Sequence, residues 1–115
     1  MRISLLGVVL ALVSTAAMAQ SAQPAGDAKA GLTAYQKYGC YTCHGIIGQG
    51  TLRDGPHLNA AALGFPALLA QLRTPRYEMP AYTAVQISDK GVADIFAYLT
   101  TLPKPPDAKT IGALQ

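Results

Sequence analysis

Cys40-Tyr41-Thr42-Cys43-His44 places two thiols three positions apart, with an imidazole directly after the second. This Cys-x-x-Cys-His pattern is typical of the attachment site of a c-type haem. The two thiols must reach the two vinyl groups at one edge of a porphyrin, and the next side chain must turn under the iron. One helical turn meets both demands. The pattern therefore predicts haem c bound covalently to Cys40 and Cys43, with His44 as the proximal ligand.

Three other uses of these residues have to be weighed. A thioredoxin-like redox pair needs a strand and helix context, and no strand pattern surrounds the motif. A zinc site could use Cys40, Cys43, His44 and His57, but adjacent Cys43 and His44 would point in different directions and His57 follows at an unusual spacing. A disulfide between the two cysteines would close a small, strained ring. The haem interpretation is favoured over all three.

The N-terminal residues have the pattern of an export signal. Arg2 supplies a positive charge, residues 3–13 are apolar, and Ala17-Met18-Ala19 has the small-x-small pattern of a cleavage site. The apolar run is shorter than the roughly 20 residues that a membrane span requires. We predict a cleavable signal peptide over residues 1–19 and a periplasmic location. A membrane attachment is expected only if this leader is not cleaved.

The remaining chain, residues 20–115, is long enough for one small domain. We predict a flexible tether over residues 20–26, a folded domain over 27–103 and a C-terminal tail over 104–115. Eight basic and six acidic residues give this part a charge of +2, which two haem propionates would bring close to zero. No cluster of Lys or Arg is present, so nucleic acid is excluded as a partner.

Helical periodicity and capping residues predict an all-α fold. Asp27 can cap a first helix, which Gly39 ends. Residues 60–72 contain two short helical patterns divided by a glycine and a proline, and residues 45–59 are a glycine-rich loop. Ser88 can cap a last helix whose apolar residues recur at helical spacing until Pro103. Gly31 lies inside the first helix, where we expect it to permit a close helix crossing.

Met79 is the predicted second axial ligand. It is the only methionine in residues 20–115, and it lies in a proline-containing segment between two helices. A thioether favours ferrous iron and raises the reduction potential, which suits an electron carrier. His57 is the alternative ligand, but it follows the attachment motif too closely to cross the porphyrin plane easily.

Taken together, the chain resembles the small monohaem class I c-type cytochromes of the bacterial periplasm. The resemblance covers roughly residues 27–103 and rests on four features: Gly31 with Tyr35, Cys40-Tyr41-Thr42-Cys43-His44, Gly55-Pro56-His57-Leu58, and Met79-Pro80 followed by the last helix. It implies a cytochrome c-like fold of three to five short helices around one covalently bound haem. A departure from the pattern is Gly91, where an acid could have completed a capping box.

The resemblance also implies roles for individual residues. The first and last helices would cross beside the haem edge, with Gly31 and Tyr35 packed on the region of Phe96 and Leu99. The carbonyl of Pro56 would accept the free ring N–H of His44. Leu58 would line the porphyrin face.

These expectations define a one-electron carrier rather than an enzyme. The acidic residues are scattered, and no phosphate-binding loop is present. With His44 and Met79 both bound, the iron has no vacancy for a substrate. The protein is expected to act as a soluble shuttle or as the cytochrome subunit of a dehydrogenase, with a periplasmic dehydrogenase or oxidase as redox partner. The alternative is a haem enzyme or gas sensor with an open sixth position.

Overall fold

The computed structural model describes residues 23–58, 60–110 and 112. These residues form four α-helices and a final 3-10 turn, with no strand among them: α1 Ala28–Lys37, α2 Tyr41–His44, α3 Ala60–Arg73, α4 Asp89–Thr101, and the 3-10 turn Ala108–Thr110. The prediction of an all-α fold with three to five short helices is confirmed. The predicted signal peptide, residues 1–19, lies outside the described residues, as do residues 20–22 of the predicted tether.

Helix α1 begins and ends where its capping residues predict. The Asp27 side chain accepts a 2.8 Å hydrogen bond from the N–H of Ala30. At the other end Gly39 adopts φ 72°, a conformation that glycine reaches without steric cost. The N–H of Gly39 donates to the carbonyl of Gln36, and the N–H of Cys40 donates to that of Tyr35. This pair of bonds is a Schellman motif, which directs the chain from α1 straight into the turn containing the cysteines.

Helices α3 and α4 follow the same local rules. Gly64, at φ 70° and ψ 161°, divides α3 into two helical segments, and Pro66 lies in the first turn of the second, where its missing N–H is tolerated. In α4 the Ser88 hydroxyl accepts from the N–H of Gly91 at 3.1 Å, and the helix ends at Thr101, two residues before Pro103. The predicted helix boundaries in this half of the chain are confirmed.

The crossing of α1 and α4 depends on Gly31. A Cβ atom added at Gly31 would overlap with the carbonyl oxygen of Asp94 and would lie 2.8 Å from Cβ of Tyr98. The ring of Tyr35, one turn further along α1, contacts that of Tyr98 with a centroid separation of 5.4 Å. The predicted close crossing is therefore present, because a glycine lets the two backbones approach.

The predicted partners of Gly31 on α4 were wrong. Phe96 and Leu99 were expected there, whereas Asp94 and Tyr98 provide the nearest atoms. The ring of Phe96 instead meets Phe65 of α3 edge to face, at 6.0 Å between centroids. The reason is that α4 packs against both α1 and α3 and carries apolar side chains on more than one face. Helical spacing alone cannot assign each face to its neighbour.

One buried cluster joins the helices. It contains residues from α1, α3, α4 and the segment before α4: Tyr35, Phe65, Leu68, Leu72, Ile87, Val92, Ala93, Ile95, Tyr98 and Leu99. The chain before α1 reaches it as well, since a Cβ atom at Gly26 would overlap with the carbonyl of Ala93. No helix in the described part of the chain is both long and apolar enough to cross a membrane.

Candidate haem-binding site

The two cysteines lie on the single helical turn that the Schellman motif introduces. Cys40 is the N-cap of α2, its own backbone is already helical, and Cys43 and His44 follow within that turn. Both thiols are half-buried and free, so no disulfide joins them. Burial raises the pKa of the Cys40 thiol in the polypeptide. The turn presents two thiols and an imidazole from five consecutive residues, as covalent haem attachment requires.

The orientation of the His44 ring is fixed by Pro56. Nδ1 of His44 lies 2.9 Å from the Pro56 carbonyl oxygen, which is the contact that the resemblance implied. Because a carbonyl oxygen can only accept, Nδ1 carries the proton and the lone pair of Nε2 is free for a metal. A hydrogen bond of this kind sets the tautomer and raises the basicity of the ligating nitrogen.

A glycine makes this approach possible. A Cβ atom at Gly55 would lie 2.8 Å from the Cys43 carbonyl oxygen and 2.9 Å from Nδ1 of His44, which is too close for any other residue without a shift. The loop is also tied back to the motif by its own backbone, since the N–H of Gly50 donates to the carbonyl of His44 at 2.7 Å. The loop that supplies Pro56 is thus held against the histidine by main-chain contacts.

Tyr35 anchors the chain just beyond the motif. Its hydroxyl donates a 2.6 Å hydrogen bond to the carbonyl of Gly45, and its side chain has no exposed surface. Burial raises the pKa of Tyr35 to about 12, and the nearby Cys40 thiol and Tyr98 add to the effect. The phenol is therefore a neutral donor at all ordinary pH values, and it links α1 to the residue that follows His44.

Met79 borders the same core as the haem motif. Its side chain is half-buried and packs against the central cluster, as do Cys40 and Leu58. In the turn before it, Tyr77 adopts φ 59°, a left-handed conformation that is uncommon for an aromatic residue. The sequence-predicted residues Cys40, Leu58 and Met79 thus meet at one cluster although they come from three separate segments.

Arg73, at the end of α3, braces the segment that carries Met79. Its guanidinium donates to the carbonyl of Tyr82 at 3.0 Å, to that of Ile87 at 2.8 Å and to the carboxylate of Asp89 at 2.7 Å. A cation in the last turn of a helix is favoured by the helix dipole, which by itself points to none of these partners. The position of Arg73 directly after Leu72 gives no indication of these partners, because they come from the following loop and from α4.

A zinc site built from the cysteines and histidines is not supported by the described residues. Among residues 23–58, 60–110 and 112, no three side chains of His, Cys, Asp or Glu come close enough to hold a metal ion. His57, which the disfavoured zinc interpretation would use, is half-buried, and its Nδ1 is buried without a hydrogen-bond partner from the described protein atoms. A covalently attached haem fits these residues better than a zinc ion does. It would use the two free thiols, the oriented imidazole of His44 and the half-buried thioether of Met79, and its propionates could satisfy the buried Nδ1 of His57.

An all-α domain built on a Cys-x-x-Cys-His turn, with its histidine ring held by a backbone carbonyl, defines a small class I c-type cytochrome. Over residues 26–99 the chain matches the family described as cytochrome c oxidase, cbb3-type, subunit III, and it belongs to that family. It therefore carries covalently bound haem c and takes part in haem-based electron transfer with redox partner proteins. We found no match among curated proteins or solved structures.

Proposed function

We propose that the protein is a periplasmic one-electron carrier in which His44 and Met79 would both ligate the haem iron. The observation that carries the proposal is the contact of His44 Nδ1 with the Pro56 carbonyl oxygen at 2.9 Å. This contact leaves Nε2 as the only ring nitrogen available to a metal. When bound, haem c takes up and releases one electron through its iron.

The residues of the chain have distinct tasks in this proposal. Cys40 and Cys43 hold the porphyrin through thioether bonds, and Pro56 holds the His44 ring in one orientation. Leu58 and the other half-buried apolar residues packed against the central cluster would exclude water from the bound haem. Exclusion of water raises the potential, because the extra positive charge of ferric iron is poorly solvated in such a site.

Met79 supports a carrier rather than an enzyme. A carrier that keeps both axial ligands changes little on reduction, whereas a haem enzyme or gas sensor needs an open position. Met79 packs against the same cluster as Cys40, and two hydrogen bonds from Arg73, to the carbonyls of Tyr82 and Ile87, hold the segment that carries it. A thioether held in this way favours ferrous iron.

The partner follows from the family. The description of the matched family names a subunit of a cbb3-type oxidase. This description supports a role in which the protein exchanges electrons with an oxidase or a dehydrogenase, either as a bound subunit or as a soluble shuttle.

We propose that the chain reaches the periplasm through a signal peptide over residues 1–19. Residues 20–26 would form a tether, residues 27–103 the haem domain and residues 104–115 a tail.

An optical spectrum of the exported, haem-loaded protein tests the ligation. Thioether binding to ferric iron gives a weak charge-transfer band in the far red, which an open or bis-histidine site lacks. We expect this band in the ferric protein and no binding of carbon monoxide to the ferrous protein. Absence of the band together with rapid carbon monoxide binding would reject the carrier proposal and favour the enzyme or sensor. Co-purification from native membranes and periplasm identifies the partner.

A further inference from the structure

Gln71 lies in the last turns of α3 and contacts two points of the segment that carries Met79. Its Nε2 is 3.6 Å from Sδ of Met79, and its Oε1 accepts a 3.4 Å hydrogen bond from the backbone N–H of Arg76. The side chain is half-buried. One amide group therefore contacts both the start of the turn at residue 76 and the sulfur atom three residues later.

The direction of the amide follows from its partners. The N–H of Arg76 is a donor, so the oxygen of Gln71 has to face it, and the NH2 group is left to face Met79. A thioether sulfur has two lone pairs. When one binds a metal, the second can still accept a hydrogen bond, so the Gln71 contact is compatible with Met79 as a ligand.

We propose that Gln71 is a positioning residue that tunes the haem potential through Met79. This inference rests on the proposed ligation by Met79. A hydrogen bond to the sulfur withdraws electron density from the thioether and makes it a weaker donor to ferric iron, which destabilises the oxidised state. Hydrogen bonds to a ligand are an established means of tuning a haem iron. The same amide holds the turn through Arg76, so it fixes the sulfur in position as well.

The test compares Gln71→Leu and Gln71→Glu with the parent protein. Leucine has a similar size but no N–H, and an ionised glutamate keeps an acceptor for Arg76 while losing the donor to sulfur. We expect both variants to retain the far-red band and to shift the equilibrium toward ferric iron. For leucine the expected shift is up to about tenfold, which corresponds to about 59 mV for a one-electron couple. Glutamate should shift it further, since its charge also stabilises ferric iron.

Two controls separate this role from a purely structural one. Gln36→Leu makes the same change at an exposed position of α1 and should leave the potential unchanged. In the ferrous parent, the Gln71 side-chain amide should give NMR signals that exchange slowly with solvent and disappear in Gln71→Leu. This second measurement needs only the parent to fold, so it remains decisive if a variant is unstable.

The outcomes distinguish the two proposals. If the parent has the far-red band and Gln71→Leu keeps the parent's potential, Gln71 has no tuning role and Met79 ligation stands. Fast exchange of the Gln71 amide in the parent would likewise overturn the inference. If the parent lacks the band, the proposed ligation fails, and the inference fails with it. Loss of the band in Gln71→Leu alone would show that Met79 needs this amide to stay bound, which supports the positioning role.

Discussion

The backbone N–H of Asp27 donates a 2.7 Å hydrogen bond to Oδ1 of Asp94, so the residue that caps α1 is itself held by the middle of α4. The same carboxylate oxygen accepts a 2.5 Å bond from Nζ of Lys90. Burial acts to raise the pKa of Asp94, but the bonds from Lys90 and Asp27 and the charge of Lys90 outweigh it and hold that pKa below its usual value. The ionised carboxylate thus joins the two helices that cross at Gly31.

Asp94→Asn should lower the free energy of unfolding by about 1–2 kcal/mol at neutral pH, because an uncharged amide oxygen replaces a charged acceptor for Asp27 and Lys90 on a side chain only 13% exposed. A carboxyl group with a lowered folded-state pKa contributes fully above its unfolded value and loses that contribution as the pH falls through the folded value. The parent should therefore lose more stability below about pH 4 than the variant.

Denaturant unfolding at pH 7 and pH 3 measures both effects. Lys90→Gln removes only the exposed partner of the pair, so it should cost at most about 1 kcal/mol at pH 7 and should weaken the pH dependence without abolishing it. Equal pH profiles for Asp94→Asn and the parent would contradict the assigned role.

Gly31→Val should destabilise the domain by at least about 1–3 kcal/mol, because the new Cβ atom overlaps with the backbone of α4 and the helices must separate. Thermal unfolding should show a lower melting temperature. Ala30→Val is the control, since it places the same side chain at the adjacent, exposed position of α1, where only a helix-propensity cost of about 0.5 kcal/mol applies. A Gly31→Val protein that melts like the control would show that the crossing tolerates a side chain.

Tyr35→Phe should change the response to alkaline pH. The pKa of Tyr35 is raised to about 12 in the folded protein, so the unfolded chain ionises first and the parent loses stability as the pH rises from about 10 toward 12. A shift of this size corresponds to roughly 3 kcal/mol. Phenylalanine cannot donate the hydrogen bond to Gly45, so the variant should be less stable than the parent at pH 7. Because it has no phenol to ionise, its free energy of unfolding should fall less between pH 7 and pH 12.

Unfolding curves across this pH range provide the measurement. Tyr77→Phe is the control, because Tyr77 is 99% exposed and should follow the parent. If Tyr35→Phe loses as much stability at alkaline pH as the parent, groups other than Tyr35 cause that loss.

Cys40 and Cys43 should each form one thioether bond to the haem. Mass spectrometry of the exported protein after denaturation and acid–acetone extraction should show one haem on each chain. Cys40→Ala and Cys43→Ala should each reduce the yield of attached haem, and the double variant should release all of it. Extractable haem in the parent would refute covalent attachment.

Met79→Ala should leave the haem attached and open the sixth position. The far-red band should disappear, carbon monoxide should bind the ferrous protein, and the potential should fall by on the order of a hundred millivolts or more, given the influence of axial-ligand identity. Met79→His serves as the control, since an imidazole can occupy the position and block carbon monoxide. An unchanged spectrum in Met79→Ala would make Met79 a packing residue and direct attention to His57.

Covalent haem attachment and the local helix structure could be read from the sequence. Haem attachment was predictable because it needs two thiols and an imidazole at fixed spacing within one helical turn, a demand that five consecutive residues meet. The ends of α1 and α4 were predictable because Asp27, Gly39 and Ser88 act on backbone groups within a few residues of themselves.

The tertiary structure decided which surfaces meet. Asp94 and Tyr98, rather than Phe96 and Leu99, face Gly31, because α4 is apolar on two sides and its rotation is set by α1 and α3 together. The contacts of Gln71 with Met79 and of Arg73 with the segment after it depend on how the loop between α3 and α4 closes. These residues are polar and carry no periodic pattern, so their partners become known only when distant segments are packed against one core.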